Sequence, residues 1–231
     1  MKGERPARLF AAMALALLLA LVGCSNPSEA PTDPGKAVVS VRFEAGGSQL
    51  TRTGTSLGDG RVVTAVPWTD KRPAFDRIEI LWSDGKSQAE IAKVEENWGI
   101  VLLRTRQSAP PGLGSTAPVK KGDKVRLLGR GEEAGAVAPS QQPSGPAALQ
   151  EVEGEVTTVG TSLPDLRSGS VTSGPFLEVR VAAQPSLVGG LVLDSQRRPV
   201  AVVRLVQVAS SGKATQSYAL PLEELRGWAP Q

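Results

Sequence analysis

The fold is decided by residues 58–68, which read GDGRVVTAVPW. Asp59 and Gly60 suit the two positive-φ positions of a tight hairpin turn. The run that follows the turn, RVVTAV, is rich in β-branched residues and predicts a strand that leads to Pro67. This segment therefore predicts two antiparallel strands joined by a two-residue turn.

The chain on both sides of this hairpin repeats short β-rich runs separated by turn residues. A second Asp-Gly pair, Asp84 and Gly85, predicts another hairpin. Twelve runs have the composition of strands, at the spacing of an all-β barrel or sandwich. Six lie in residues 37–106 (AVVSVRFE, SQLTRTGTSL, RVVTAV, RIEILW, SQAEIAKV, GIVLLRT) and six in residues 120–231 (KVRLLGR, LQEVEGEVTTVG, FLEVRVA, LVLD, PVAVVRLVQV, ATQSYAL).

Three stretches without this pattern divide the chain. Residues 107–119, QSAPPGLGSTAPV, are rich in proline and glycine and predict a linker between two cores. Glu132–Ala148 and Leu163–Pro175 predict long surface loops, because both contain mainly small and turn-forming residues. The C-terminal PLEELRGWA predicts a short helix with Pro221 in its first turn.

The composition excludes several kinds of site. The 231 residues include no histidine, so no serine or threonine can be activated by an imidazole. The sequence has no Cys/His cluster and no phosphate-binding glycine loop, so neither a metal nor a cofactor is predicted. The net charge of +3 falls to +1 without the first 24 residues (26 − 3 basic, 23 − 1 acidic), so no nucleic-acid partner is predicted.

Residues 1–23 have the organisation of a signal peptide. A basic start, MKGERPAR, leads into an apolar run from Leu9 to Val22, which is shorter than the ~20 residues of a membrane span. The run ends in LVGC, which resembles the bacterial lipobox and implies acylation of Cys24, the only cysteine. Residues 24–36 then predict a disordered tether, because they contain three prolines and no large apolar residue.

Acylation at Cys24 would anchor the chain to a membrane. The lipobox implies a diacylglyceryl group and an N-acyl chain, and two or more chains give stable attachment. Ser25 is not the aspartate that marks inner-membrane retention in many Gram-negative bacteria. We therefore expect a location in the bacterial cell envelope, at the periplasmic side of the outer membrane in preference to the inner membrane.

Four segments together resemble trypsin-like serine proteases, specifically the high-temperature-requirement branch of bacterial envelope proteases. They are GTSLGDGRVVTAV, IEILWSDGKSQAEI, GIVLLRT, and LVGGLVLDSQRRPVAVV with the later SYALPLEEL. Their order and spacing are similar to the family over residues 38–226. The resemblance implies an all-β fold of two six-stranded antiparallel β-barrels, at residues 37–106 and 120–231, with a short C-terminal helix.

The same resemblance implies that the catalytic triad is absent. Pro67 stands at the position of the histidine base, Gly99 at that of the aspartate and Val188 at that of the serine nucleophile. In the family, the oxyanion hole is formed by backbone N–H groups of the nucleophile loop. In this chain Ser186 replaces the leading glycine of that loop, and Leu191 replaces the proline that follows the paired glycines.

Two tryptophans flank the triad positions. Trp68 follows the position of the base and Trp98 precedes that of the aspartate, which predicts an apolar groove between the barrels. The other predicted members of this groove belong to the nucleophile loop and are Ser186, Leu187, Gly189 and Gly190.

Three functions are compatible with these features. A membrane-anchored pseudoprotease would bind a peptide or protein partner without cleaving it, for example by adding a partner strand to a sheet edge. An active serine hydrolase would need a base other than histidine. Its candidate nucleophiles are Ser186 and Ser83, and Ser83 stands in an S-x-x-K match with Lys86. A structural envelope lipoprotein would have no peptide groove. Nothing in the sequence predicts a particular oligomeric state.

Overall fold

The computed structural model describes residues 33–66, 74–130, 145–164, 171–182, 185–208 and 214–229. The predicted signal peptide, Cys24, Pro67, Trp68 and most of the predicted loop at 132–148 lie outside the described residues. The first described element is a 3-10 turn at Pro34–Ala37, with Gly35 and Ala37 buried. Folded structure therefore begins a few residues before Ala37, inside the stretch predicted to be a tether.

Six antiparallel strands close a first barrel in the order β1-β2-β3-β6-β5-β4. All six were expected between residues 37 and 106, and their interior side chains alternate along each strand as a half-buried strand requires. On β1, for example, Val39, Val41 and Phe43 point into the barrel core. The strands are β1 (Val38–Ala45), β2 (Ser48–Gly58), β3 (Arg61–Ala65), β4 (Arg77–Trp82), β5 (Gly85–Glu95) and β6 (Ile100–Thr105).

The β2–β3 hairpin has the predicted turn. Gly58 pairs with Arg61, and the two residues between them, Asp59 and Gly60, have φ angles of 52° and 74°. Positive φ at both central positions matches the right-handed twist of the flanking strands. The turn chemistry read from the sequence is therefore confirmed.

The β4–β5 hairpin is also present, but its turn lies one residue earlier than predicted. Trp82 pairs with Gly85, so the turn residues are Ser83 and Asp84, and Gly85 belongs to β5. A Cβ on Gly85 would lie 2.8 Å from the Trp82 ring. This glycine therefore makes room for a buried aromatic side chain and does not form the turn.

Six further strands close the second barrel in the order β10-β11-β12-β9-β8-β7. The predicted loop at Leu163–Pro175 is wrong at both ends, because β8 continues to Pro164, β9 begins at Val171, and these two residues pair; residues 165–170 lie outside the described residues. The elements are β7 (Lys124–Gly129), β8 (Gln150–Pro164), β9 (Val171–Val181), β10 (Leu191–Asp194), β11 (Pro199–Val208), β12 (Ala214–Pro221) and the predicted C-terminal helix, here α1 (Leu222–Trp228).

A shared apolar cluster, the interbarrel core, lies between the two barrels. Side chains of both barrels pack together with Leu222 and Leu225 of helix α1, which closes one side. The fully or nearly fully buried members from the strands include Val38, Val63, Ile100 and Leu102 of the first barrel and Leu128, Phe176, Leu191, Val202 and Leu220 of the second. In the described parts of the chain, no helix combines the length and the apolar character needed to cross a bilayer.

Buried hydroxyl groups of the first barrel bind backbone groups of the second. The Thr53 hydroxyl donates to the Ser186 carbonyl at 2.7 Å and accepts from the Arg130 N–H at 2.7 Å. The Thr55 hydroxyl donates to the Gly189 carbonyl at 3.0 Å. The two threonines lie on one face of β2 and are both fully buried. We call this pair the hydroxyl clasp; it fixes β2 against the second barrel.

Replacing Thr53 by valine should destabilise the protein by about 2 kcal/mol or more, because the Ser186 carbonyl and the Arg130 N–H would lose a buried partner. Chemical denaturation of the full chain in detergent measures the free energy of unfolding. The matched control is Thr51→Val, two residues away on the same strand, whose half-buried hydroxyl makes no hydrogen bond to a described residue. An equal loss of stability in both variants would contradict the role given to the clasp.

Candidate functional site between the barrels

The loop at residues 185–190 lies where the second barrel contacts β2. It begins with a 3-10 turn at Pro185–Leu187 and leads directly into β10. The Gly189 N–H donates to the Val203 carbonyl at 2.8 Å, and the Val203 N–H donates to the Gly190 carbonyl at 2.8 Å. Strand β11 thus holds one side of this loop, and the hydroxyl clasp of β2 holds the other.

The paired glycines allow a backbone approach that no other residue permits. Gly189 has a φ of +91°, and a Cβ there would lie 1.9 Å from the Thr53 carbonyl oxygen. A Cβ on Gly190 would lie 2.0 Å from the Leu128 carbonyl oxygen. Glycine is therefore needed at position 189 for the close approach to β2 of the first barrel, and at position 190 for the close approach to β7 of its own barrel.

The loop presents no activated nucleophile among its described side chains. Val188, at the nucleophile position implied by the resemblance, packs against the core of the second barrel. Ser186 is 5% exposed, and its hydroxyl donates to the Gln150 amide oxygen at 2.8 Å. An amide oxygen is not a base at neutral pH, so this contact holds the hydroxyl without removing its proton.

Gly99, at the aspartate position implied by the resemblance, is the last residue of the turn that precedes β6. It is buried with a φ of +59°, and its carbonyl accepts a hydrogen bond from the Val66 N–H at 2.9 Å. Val66 is the last described residue before Pro67, so the ends of β3 and of the turn at residues 96–99 are adjacent. The structure therefore brings Gly99 next to the segment that enters the predicted base position.

Arg204 of β11 fills the space in which a side chain of residue 99 would lie. A Cβ built on Gly99 would lie 1.9 Å from the Arg204 Nη2 atom. The Arg204 Nε–H donates to the Trp98 carbonyl, which holds the guanidinium against this turn. Burial lowers the pKa of Arg204 from its ordinary value, yet a guanidinium remains protonated at neutral pH. A cation thus lies at the place where the resemblance implies the family's carboxylate.

The predicted groove is only partly present in the described residues. Leu187 is fully buried in the core of the second barrel, and Gly189 and Gly190 are buried as well, so these three residues do not line an open groove. Ser186 is nearly as inaccessible. Trp98 is half-buried and packs against the interbarrel core. The accessible side chains at this place are Trp98, Val188 and Arg204.

Strand β11 has an unpaired edge beside Arg204. Its first residues pair with β10 as far as Val202, and Val203 bonds to the glycine loop. The register with β12 shifts between Val203 and Leu205, so Arg204 is a β-bulge. Residues 205–208 then pair with β12 on one side, and no described strand pairs with their other side.

Arg204 is the site residue that sequence reasoning missed. A usable signal was present, because one arginine interrupts the apolar run PVAVVRLVQV. A charged residue in the middle of an otherwise apolar strand is rarely buried without a specific role. Its contact with Gly99, which is 105 positions earlier in the chain, could only be seen in three dimensions.

Other concave regions of the described surface lie away from these residues. A cavity of about 620 Å³ lies over β4 and β5 and includes Phe75 and Arg106, and one of about 300 Å³ beside the linker includes Val119 and Leu177. Neither cavity includes a residue of the predicted groove. Over the described ranges, no group of three or more metal-ligating side chains comes together.

The chain matches no protein-family model and no curated protein sequence. Solved structures do match. The apo MamO protease domain of Magnetospirillum magneticum superposes with a TM-score of 0.66 at 15% identity, covering 87% of this chain and 99% of that chain. The active form of the Rv3671c protease from M. tuberculosis gives 0.62 at 20% identity, with 87% and 82% covered.

A third similar structure belongs to the protease branch that the sequence resembles. The HtrA-type protease AlgW with a tripeptide gives a TM-score of 0.63 at 16% identity, covering 83% of this chain and 58% of that chain. Similarity at these identities concerns the fold. The described chain has the trypsin-like double-barrel fold, so the fold class expected from the four sequence segments is confirmed.

Replacing Gly189 by alanine should destabilise the protein by more than about 2 kcal/mol, because a side chain would be forced into a left-handed conformation and against the Thr53 carbonyl. The matched control is Gly114→Ala, since a Cβ there meets nothing within 4 Å and φ is not positive. We expect the control to change stability by less than about 1 kcal/mol. Thermal and chemical denaturation measure both, and a neutral Gly189→Ala would contradict the close packing described above.

Proposed function

We propose that this chain is a membrane-anchored envelope lipoprotein whose trypsin-like domain is a pseudoprotease that binds a peptide or protein partner without cleaving it. The observation that carries the proposal is the Arg204 guanidinium against Gly99. A serine protease needs a carboxylate at this place to orient its base, and a cation there opposes the imidazolium that forms during catalysis.

The remaining parts of the site support the absence of cleavage. The sequence has no histidine to act as a general base. Val188 offers no nucleophile, and the Ser186 hydroxyl is buried against an amide. The loop itself is nevertheless well held, by two threonine hydroxyls on one side and by β11 on the other. A well-held loop without catalytic groups is compatible with binding and does not support cleavage.

The unpaired edge of β11 supports the mode of binding. Free N–H and C=O groups of an exposed strand edge can pair with an extended segment of another chain. No described strand pairs with this side of residues 205–208, which directly follow Arg204 and its contact with Trp98. Backbone pairing would supply affinity that depends little on the sequence of the partner, and the side chains beside this edge would supply selectivity.

The proposed anchor rests on the sequence around Cys24. The LVGC tetrapeptide and the short apolar run before it support acylation of this cysteine. Ser25 supports the outer membrane, on its periplasmic side, over the inner membrane. The basic and acidic residues after the signal peptide nearly balance, so the lipid supplies the attachment without a polybasic patch.

Incubating the folded full chain in detergent with a fluorophosphonate serine probe tests the absence of hydrolase chemistry. We expect no labelling, because no described serine is paired with a base. Active trypsin serves as the positive control, and Ser186→Ala serves as the matched variant. Labelling of the wild-type chain that disappears in Ser186→Ala would overturn the pseudoprotease proposal and favour a serine hydrolase with a base other than histidine.

Metabolic labelling with an alkyne fatty acid, in a Gram-negative host, tests the anchor. The wild-type chain should incorporate the label and fractionate with the outer membrane, and Cys24→Ala should incorporate none. Ser25→Asp is the matched control for location, since it should keep the label and move to the inner-membrane fraction. An unlabelled wild-type chain, or labelling that persists in Cys24→Ala, would refute lipidation at this residue.

A further inference from the structure

The guanidinium of Arg204 has more hydrogen-bond donors than the described protein uses. Of its five N–H groups, the one on Nε donates to the Trp98 carbonyl. The groups on Nη1 and Nη2 donate to no described residue, and neither nitrogen is fully buried. The two nitrogens therefore reach solvent and present the planar fork that binds a carboxylate through two parallel hydrogen bonds.

No carboxylate of the described chain neutralises this charge. Glu95 and Glu96 are close in sequence to Trp98, but the ion pairs of the described residues do not include Arg204. Arg42, which is also half-buried, is held by Glu79 at 3.1 Å. A partly desolvated cation without a counter-ion among the described residues is unfavourable, so a carboxylate from another chain would remove part of this cost.

The position of Arg204 links this charge to the proposed binding edge. Arg204 is the bulge residue at which the free edge of β11 begins. A strand that pairs with residues 205–208 would pass beside the guanidinium. Because the Trp98 carbonyl holds Nε, the fork is oriented before a ligand arrives, which lowers the entropic cost of binding.

We propose that the partner is an acidic segment whose carboxylate binds the Arg204 guanidinium while its backbone pairs with the edge of β11. This inference rests on the proposed function and specifies its ligand. The carboxylate comes from an Asp or Glu side chain or from a free C-terminus, and the two sources share the same chemistry at the guanidinium.

Substitution of Gly99 offers a matched pair of variants. Asp and Asn have the same shape, and both tolerate the left-handed conformation of this residue better than other side chains do. Either side chain must displace the Arg204 fork, but Gly99→Asp also places a carboxylate against it. The comparison of the two variants therefore isolates the negative charge. Arg204→Gln removes the fork and leaves every other charge of the chain in place.

The probe is a bead-bound library of N-acetylated random octapeptides, synthesised once with a C-terminal amide and once with a free carboxylate. Fluorescent full chain in detergent selects beads, and the selected sequences give the enrichment of Asp and Glu. The best acidic peptide is resynthesised with Asn or Gln at each acidic position, and fluorescence anisotropy gives its affinity. We expect the acidic form to bind at least about tenfold more tightly than its neutral analogue.

Each outcome decides between specific statements. Acidic enrichment in the amide library identifies a side-chain carboxylate, and enrichment confined to the free-carboxylate library identifies a terminal one. Either result supports the inference if the preference for the carboxylate is lost in Arg204→Gln. This preference must also be weaker in Gly99→Asp than in Gly99→Asn. Peptide binding without acidic preference, or with a preference that Arg204→Gln retains, would overturn the inference and leave the proposed function standing. If the folded wild-type chain selects no peptide, the proposed peptide binding itself fails.

Discussion

The contact between strand β2 and the 185–190 loop is the constraint on which the arrangement of the two barrels depends. The Thr53 carbonyl oxygen occupies space that a Cβ of residue 189 would need, so the two backbone segments approach as closely as glycine permits. The hydroxyl clasp then binds two carbonyls of the same loop. These contacts involve backbone groups and buried hydroxyls, and none of them uses the side chain of residue 188. They hold the loop through its backbone.

The charge beside the turn at 96–99 depends on a second glycine, Gly99. With glycine at position 99, the space beside the turn at 96–99 is open to a long side chain from the opposite barrel, and Arg204 enters it. The family that this chain resembles has a carboxylate at this place. At the position that the resemblance implies for it, this chain places a guanidinium, while the backbone pairs with Val66 and with the glycine loop. The chemistry of a site can differ between chains of one fold.

Most of the architecture could be predicted from the sequence because the signals are local. Alternating apolar residues and paired turn residues specify a strand or hairpin within about ten positions, and all twelve strands were located in this way. Gly85 misled the prediction because its role, making room for the Trp82 ring, depends on a cross-strand neighbour. The candidate site was harder still. Leu187 and the glycines were assigned to a groove, and Arg204 was missed, because their surroundings come from residues distant in sequence.

The interbarrel core has a consequence for how the domain comes apart. The first half of strand β1 is buried on both faces, since one face lies inside its own barrel and Val38 packs in the interbarrel core. Helix α1 adds Leu222 and Leu225 to the same cluster. Separation of the barrels would expose this apolar surface to water. We therefore expect the two barrels to unfold as one cooperative unit, in which damage to either lowers the stability of both.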